Sequence, residues 1–183
     1  MPRMAGRVVL HVGTMKSGTS YLQARLFANR DVLLDRGVAL PTTGWAMMVA
    51  AVNDVLRRDS DRALWNQVAE AVRAYDGTSV ISMEYLGPAR PKARRRVLDA
   101  FAGKDVQVVV TARDLNRQIP ATWQERVQNG TTASLREYGD VVRATRRSAP
   151  SNGAEHPHAA LGTAFWRHQS LDRLVGNWIK EVG

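Results

Sequence analysis

Hydrophobic positions fall into short β-branched runs separated by longer stretches of helical spacing, and this alternation predicts the order of elements. Arg7 to Val12 is a β-branched run closing at Gly13. Ser17 to Asn29 then carries Tyr21, Leu22, Leu26 and Phe27 at helical spacing, so strand, turn and helix follow one another. Val38 to Leu40 is a short apolar piece ended by Pro41. Trp45 to Arg57 and Ala63 to Tyr75 read as helices, with Asp59, Ser60 and Asp61 available to cap the second. Ser79 to Met83 is a second strand, bounded by Gly77 and by Gly87 and Pro88. Pro91 to Phe101 is a basic helix ending before Gly103. Val106 to Thr111 is a third strand whose near-continuous β-branched character predicts burial on both faces.

Beyond it, Leu115 to Gln128 is helical with Pro120 inside, Ser134 to Thr145 makes another helix, and Leu171 to Val182 a last amphipathic one. Arg146 to Gly162 is rich in Pro, Gly, Ser and Asn and reads as a mobile loop within a single domain spanning 1–183. Strands alternating with helices predict an α/β, three-layer, P-loop-like domain with a central parallel sheet. Ligands of such sheets sit at the carboxyl ends of strands, which points to the residues just past Val12, Met83 and Thr111.

Composition narrows the chemistry. The 183 residues include no Cys, which removes disulfide scaffolds, thiolate metal sites and thiol nucleophiles. No apolar run approaches the ~18 residues that span a bilayer, and no export signal is evident, so a cytoplasmic protein is expected. The net charge of +9 invites a nucleic-acid reading, yet all but four of the 26 basic residues are Arg, scattered among Ala and Val. Charge alone does not choose a partner.

The residues after the first strand do. Gly13, Thr14, Met15, Lys16, Ser17, Gly18, Thr19 and Ser20 open directly into a helix. Glycines permit a tight turn with inward N–H groups, the helix N-terminus adds its positive dipole end, and Lys16 and the hydroxyls supply further donors. Such a turn suits a polyanion. A P-loop nucleotidase places its lysine directly after the second glycine, whereas here Lys16 precedes Gly18 by two and Thr19 holds the expected lysine position.

Lys16 to Gln23, KSGTSYLQ after a strand, resembles the 5′-phosphosulfate loop of sulfotransferases that use 3′-phosphoadenosine 5′-phosphosulfate, with Ser20 where Thr is commoner. A second family element is a strand ending in an Arg that holds the donor's 3′-phosphate, with a Ser eight residues further on. Val108 to Asp114 matches the strand and places Arg113; Ala121 stands at the Ser position, with Thr122 beside it. Thr111 to Gln128, TARDLNRQIPATWQERVQ, is similar to the form found in actinobacterial members, and the two motifs lie about a hundred residues apart as in the family. The resemblance implies donor binding by Lys16, Ser17, Gly18, Thr19, Ser20, Arg113 and Thr122, no metal, and a small-molecule or carbohydrate acceptor, with no specific nucleic acid. Family members run past 183 residues, and a later basic, Gly-containing segment closes over the 3′-phosphate. The chain reads as truncated before that part, and weakened donor binding is the expectation.

Sulfuryl transfer to an alcohol needs a base, and Glu84, just beyond the second strand, is the candidate. The implied reaction is in-line displacement at sulfur: Glu84 deprotonates the acceptor, Lys16 and the loop N–H groups neutralise the leaving phosphate, and Arg113 anchors the 3′-phosphate. Other residues carry blander readings. His11 is a packed strand histidine, His156 and His158 lack a third ligand for a metal, and Arg90, Lys92 and Arg94 to Arg96 form a solvated helix face. Trp123 is a core Trp or an adenine platform, and Arg117, one turn past Arg113, is an accessory to the 3′-phosphate. The alternatives are a P-loop nucleotide-dependent kinase and a non-catalytic nucleotide- or nucleic-acid-binding module.

Overall fold

Residues 6–147 and 159–182 are described by a computed structural model. The opening β-branched run forms β1 (Arg7–His11), the turn after it enters α1 (Thr19–Ala28) and α2 (Arg30–Asp35), and Val38–Ala39 makes the short β2. α3 (Trp45–Leu56) and α4 (Ala63–Ala74) precede β3 (Thr78–Ser82), which runs into a single 3-10 turn at Glu84–Leu86. α5 (Pro91–Asp99) starts on a proline, where the missing N–H costs nothing, and leads to β4 (Asp105–Val109). The rest is helical: α6 (Leu115–Gln128), α7 (Leu135–Arg147), α8 (Ala159–Gln169) and α9 (Leu171–Val182).

The fold is α/β, with one four-stranded, all-parallel sheet in the order β2-β3-β1-β4, flanked by helices. β1 is central, with Leu10 in register with Ile81 on one side and Val108 on the other. The chain leaving β1 travels past β3 to reach β2, and the chain leaving β3 travels back past β1 to reach β4. The two connections diverge at the adjacent carboxyl ends of β1 and β3, which is where a crevice opens in sheets of this kind. Val8 and Leu10 of β1, Ile81 of β3, Val52 and Val55 of α3 and Val97 of α5 are fully buried in the main core, and Trp178 of α9 closes it beside β4. Tyr138, Val142 and Phe165 form a second cluster between α7 and α8.

Three expectations are corrected, and the capping of α4 is extended. β4 is not buried on both faces. It is an edge strand in which Val106 and Val108 face the core while Gln107 and Val109 face outward, Val109 being 38% exposed. Its near-continuous β-branched run reflects β-propensity on both sides and not two covered faces. In α1 the inward positions are Thr19 and Gln23, while Tyr21 is 74% exposed. That helix packs over polar strand ends, so its apolar spacing misidentifies the buried face. The start of α4 draws on the expected cluster, since Ser60 Oγ accepts from Arg62 N and Asp61 from Ala63 N. Asp54 on α3 does more, accepting from Leu64 N, Trp65 N and the Ser60 hydroxyl.

The last correction is at 146–162. Arg146 and Arg147 finish α7 and Ala159 to Gly162 begin α8, while the stretch between lies outside the described residues, as do His156 and His158. Gly162 is a contact residue and not a loop residue: a Cβ there would overlap Thr145 Oγ1 and lie 2.9 Å from the Val141 carbonyl. Only a glycine lets α8 approach α7 this closely.

Candidate functional site

The turn after β1 is pinned to the strand beside it. Val12 N donates to the Val109 carbonyl and Thr14 N to that of Thr111, both at 2.9 Å, which carries the ladder past the end of β4. Ser17 Oγ donates to the Thr14 carbonyl at 2.6 Å and lies 2.9 Å from Thr111 Oγ1. Lys16 takes a left-handed backbone conformation, φ 62°, which costs a non-glycine residue roughly 1–2 kcal/mol. Gly18, φ 92°, adopts the same region without strain at the N-cap of α1.

Above this turn is a cleft of about 390 Å³. Lys16, Gly18, Thr19 and Ser20 line one side, Glu84 comes from the end of β3, and Arg113 from the end of β4. Three strand ends therefore meet at one cavity. Ser17 is not part of its wall, because its hydroxyl is turned down into the turn. Thr122 is also elsewhere: its hydroxyl donates to the Gln118 or Ile119 carbonyl of its own helix and accepts from Tyr138 Oη at 3.3 Å, so it lines neither cleft that Arg113 lines. Arg117 is exposed and pairs with Asp114 at 3.7 Å, and Trp123 packs in the second core cluster with Nε1 donating to the Ala133 carbonyl.

Residues that the pattern did not single out complete the cleft. Gln23, 2% exposed on α1, donates through Nε2 to Glu84 Oε2 at 2.9 Å and to the Ser82 carbonyl at 3.1 Å, and its oxygen accepts from Trp45 Nε1 at 3.0 Å. The carboxylate of Glu84 is thereby held from a buried, fully occupied amide. Glu125 on α6 lies across the cleft, 3.3 Å from Lys16 Nζ. Neither Gln23, which the apolar spacing of α1 places on the solvent side, nor Glu125 carries a sequence signal for the site.

Beneath the turn sits His11, 3% exposed, with Nδ1 2.7 Å from Ser82 Oγ and Nε2 2.9 Å from Thr111 Oγ1. Burial holds its pKa below the ordinary imidazole value, against an opposing pull from the Glu84 charge. His11 thus joins the ends of β1, β3 and β4 as an uncharged bridge.

A larger cleft of about 810 Å³ adjoins the first and shares Arg113 with it. Gln118 of α6 lines it and also reaches the turn, donating to the Met15 carbonyl and to Gln169 Oε1. Among the described residues no cluster of three or more His, Asp or Glu converges, and no helix is long and apolar enough to cross a membrane. The chain matches no protein-family model, no curated protein and no solved structure.

Proposed function

We propose that the chain is a sulfotransferase-type domain on a three-layer, P-loop-like scaffold, taking 3′-phosphoadenosine 5′-phosphosulfate as donor and passing its sulfuryl group to a hydroxyl or amine acceptor. The observation that supports this reading best is the meeting of Lys16, Glu84 and Arg113, from three different strand ends, on one cleft. Two cations and a carboxylate on separate supports are what an in-line displacement at sulfur requires. The donor's 5′-phosphosulfate lies against Lys16 and the N–H groups at the start of α1, with the Thr19 and Ser20 hydroxyls beside it. Glu84, fixed by Gln23, takes the acceptor proton as the acceptor oxygen or nitrogen attacks sulfur and the S–O bond to the phosphate breaks. The leaving adenosine bisphosphate keeps the electron pair, and Lys16 neutralises the charge that develops on it. Ser17 shapes the turn from below.

Calorimetric titration with 3′,5′-adenosine bisphosphate tests the reading. Micromolar binding that is lost in Lys16→Ala and in Arg113→Ala is the expected result. Absence of binding by the unaltered chain overturns the function while leaving the α/β fold in place.

A further inference from the structure

Behind the reaction cleft lies a further cavity, of about 280 Å³, to which the reaction just described assigns nothing. Met15, Tyr85 and Glu125 stand in both walls, so the cavity adjoins the cleft on the side where Tyr85 follows Glu84 in the chain. Its deeper wall comes from α6, α7 and α8. Tyr138 and Phe165, 1% and 3% exposed, meet edge to face with ring centres 6.3 Å apart and give that wall an aromatic surface. The volume stands at the lower end of the roughly 300–1,000 Å³ usual for small-molecule sites, which is room for a single ring with its substituents and not for a saccharide chain.

The charge of this wall is unbalanced. Glu125 supplies its carboxylate, and that group reaches away to Lys16 Nζ, 3.3 Å distant. Arg126 faces the Tyr138 hydroxyl, and among the described residues no carboxylate is in ion-pair contact with it. His168 adds an imidazole whose Nδ1 is buried and has no hydrogen-bond partner. Burial, with the Arg167 and Arg126 charges beside it, holds the His168 pKa below the ordinary imidazole value against the pull of Glu125, so the ring is neutral. A guanidinium without a counter-charge and a buried ring nitrogen without a partner are answered by one group, a carboxylate. It accepts paired hydrogen bonds from the guanidinium and one from Nδ1 in the tautomer that carries hydrogen there.

We propose that this cavity seats the acceptor and selects an acidic one: a single-ring hydroxy- or amino-carboxylate whose carboxylate is held by Arg126 and His168, whose ring lies on Tyr138 and Phe165, and whose hydroxyl or amine reaches the cleft beside Glu84. The inference rests on the reading of that cleft as the seat of the phosphosulfate. The transfer balances as before: the acceptor oxygen or nitrogen bonds to sulfur, the S–O bond to the phosphate breaks with its electron pair going to the leaving adenosine bisphosphate, and Glu84 takes the acceptor proton. Arg126 and His168 take no part in that step. They set which molecules reach it.

Calorimetry on the full chain, with 3′,5′-adenosine bisphosphate present, compares 4-hydroxyphenylacetate with its neutral amide. The acid should bind tighter than the amide by about tenfold or more, the gain expected of charge-assisted hydrogen bonds. Arg126→Gln should remove that preference. His168→Phe should weaken the acid and not the amide, whereas His168→Asn, which keeps an N–H donor near the place of Nδ1, should retain the preference; these two variants carry the test independently of Arg126. An acid that binds no tighter than its amide, or a preference kept in Arg126→Gln and in His168→Phe, with the bisphosphate still bound, overturns the acidic-acceptor site and leaves the sulfotransferase reading standing. Binding of the acid by a chain that binds no bisphosphate overturns the acceptor role together with that reading.

Discussion

Lys16 Nζ and Glu125 Oε1 stand 3.3 Å apart across the smaller cleft, so the cation best placed to receive an anion already has a carboxylate partner. Both side chains keep more than a third of their surface exposed, and a pair of that kind contributes only about 0.2–1 kcal/mol. An incoming anion must displace Glu125 and tolerate its charge. Glu125→Gln should accordingly tighten pyrophosphate binding by about two- to fivefold at low salt, less at high salt. Calorimetry at two ionic strengths checks this, and weaker binding in the variant would show that Glu125 supports Lys16 and does not compete with its ligand.

Gln23 and Glu84 should separate structure from function. Gln23→Leu leaves Trp45 Nε1 and the Ser82 carbonyl without their partner, at a cost of about 1–3 kcal/mol. Glu84→Gln retains an oxygen that can accept from Gln23 and should change stability by less than about 0.5 kcal/mol. Urea denaturation of both variants gives the comparison; a large loss in Glu84→Gln would make that carboxylate a structural group.

His11 gives a pH dependence whose sign follows from its direction of shift. Its folded pKa lies below the ordinary 6.5, so the unfolded chain binds the proton more readily. The associated stability is complete above about pH 6.5 and is lost as pH falls from there toward the folded pKa. His168, also lowered by burial, with Arg167 and Arg126 adding to the effect, acts in the same direction. His11→Gln should reduce the slope of denaturation midpoint against pH below 6.5, with the remainder due to His168. An unchanged slope would mean that His11 titrates as it does in the unfolded chain.

Gly162 and Gly176 are both helical but should respond oppositely to alanine. At Gly162 the new methyl meets Thr145 Oγ1 and the Val141 carbonyl, so α7 and α8 must part, and thermal denaturation should show a loss of about 1–3 kcal/mol. At Gly176 nothing lies within 4 Å, and Gly176→Ala should stabilise by about 0.4–1 kcal/mol. Destabilisation at both positions would contradict the packing described for α8.

What could be read along the chain was whatever is encoded locally. The β-branched run before Gly13, the Gly- and Ser-rich turn and the strand leading to Arg113 announce themselves by residue type, and with them the alternation that produces a parallel sheet. The rest depends on partners distant in sequence. Gln23 reads as a solvent-facing amide until β3 brings Glu84 and Ser82 beneath it. Glu125 is an ordinary helical acid until α6 is laid across the turn. Gly162 looks like loop composition because close helix contact and loop flexibility call for the same residue. The edge position of β4 is a matter of strand order, which the β-branched content of one strand does not encode.

The bridge beneath the turn has a direction, and it is set at one end by an atom that has no proton to give. The Thr14 carbonyl can only accept, so the Ser17 hydroxyl hydrogen is spent on it. Thr111 must then donate to Ser17 Oγ, His11 must donate to Thr111 from Nε2, and Nδ1 is left to accept from Ser82. One peptide oxygen thus dictates the tautomer of a buried imidazole two hydroxyls away. Ser17, already off the cleft wall, has no hydrogen to offer an anion, and discrimination among ligands falls to Lys16, Thr19, Ser20, Arg113 and the backbone.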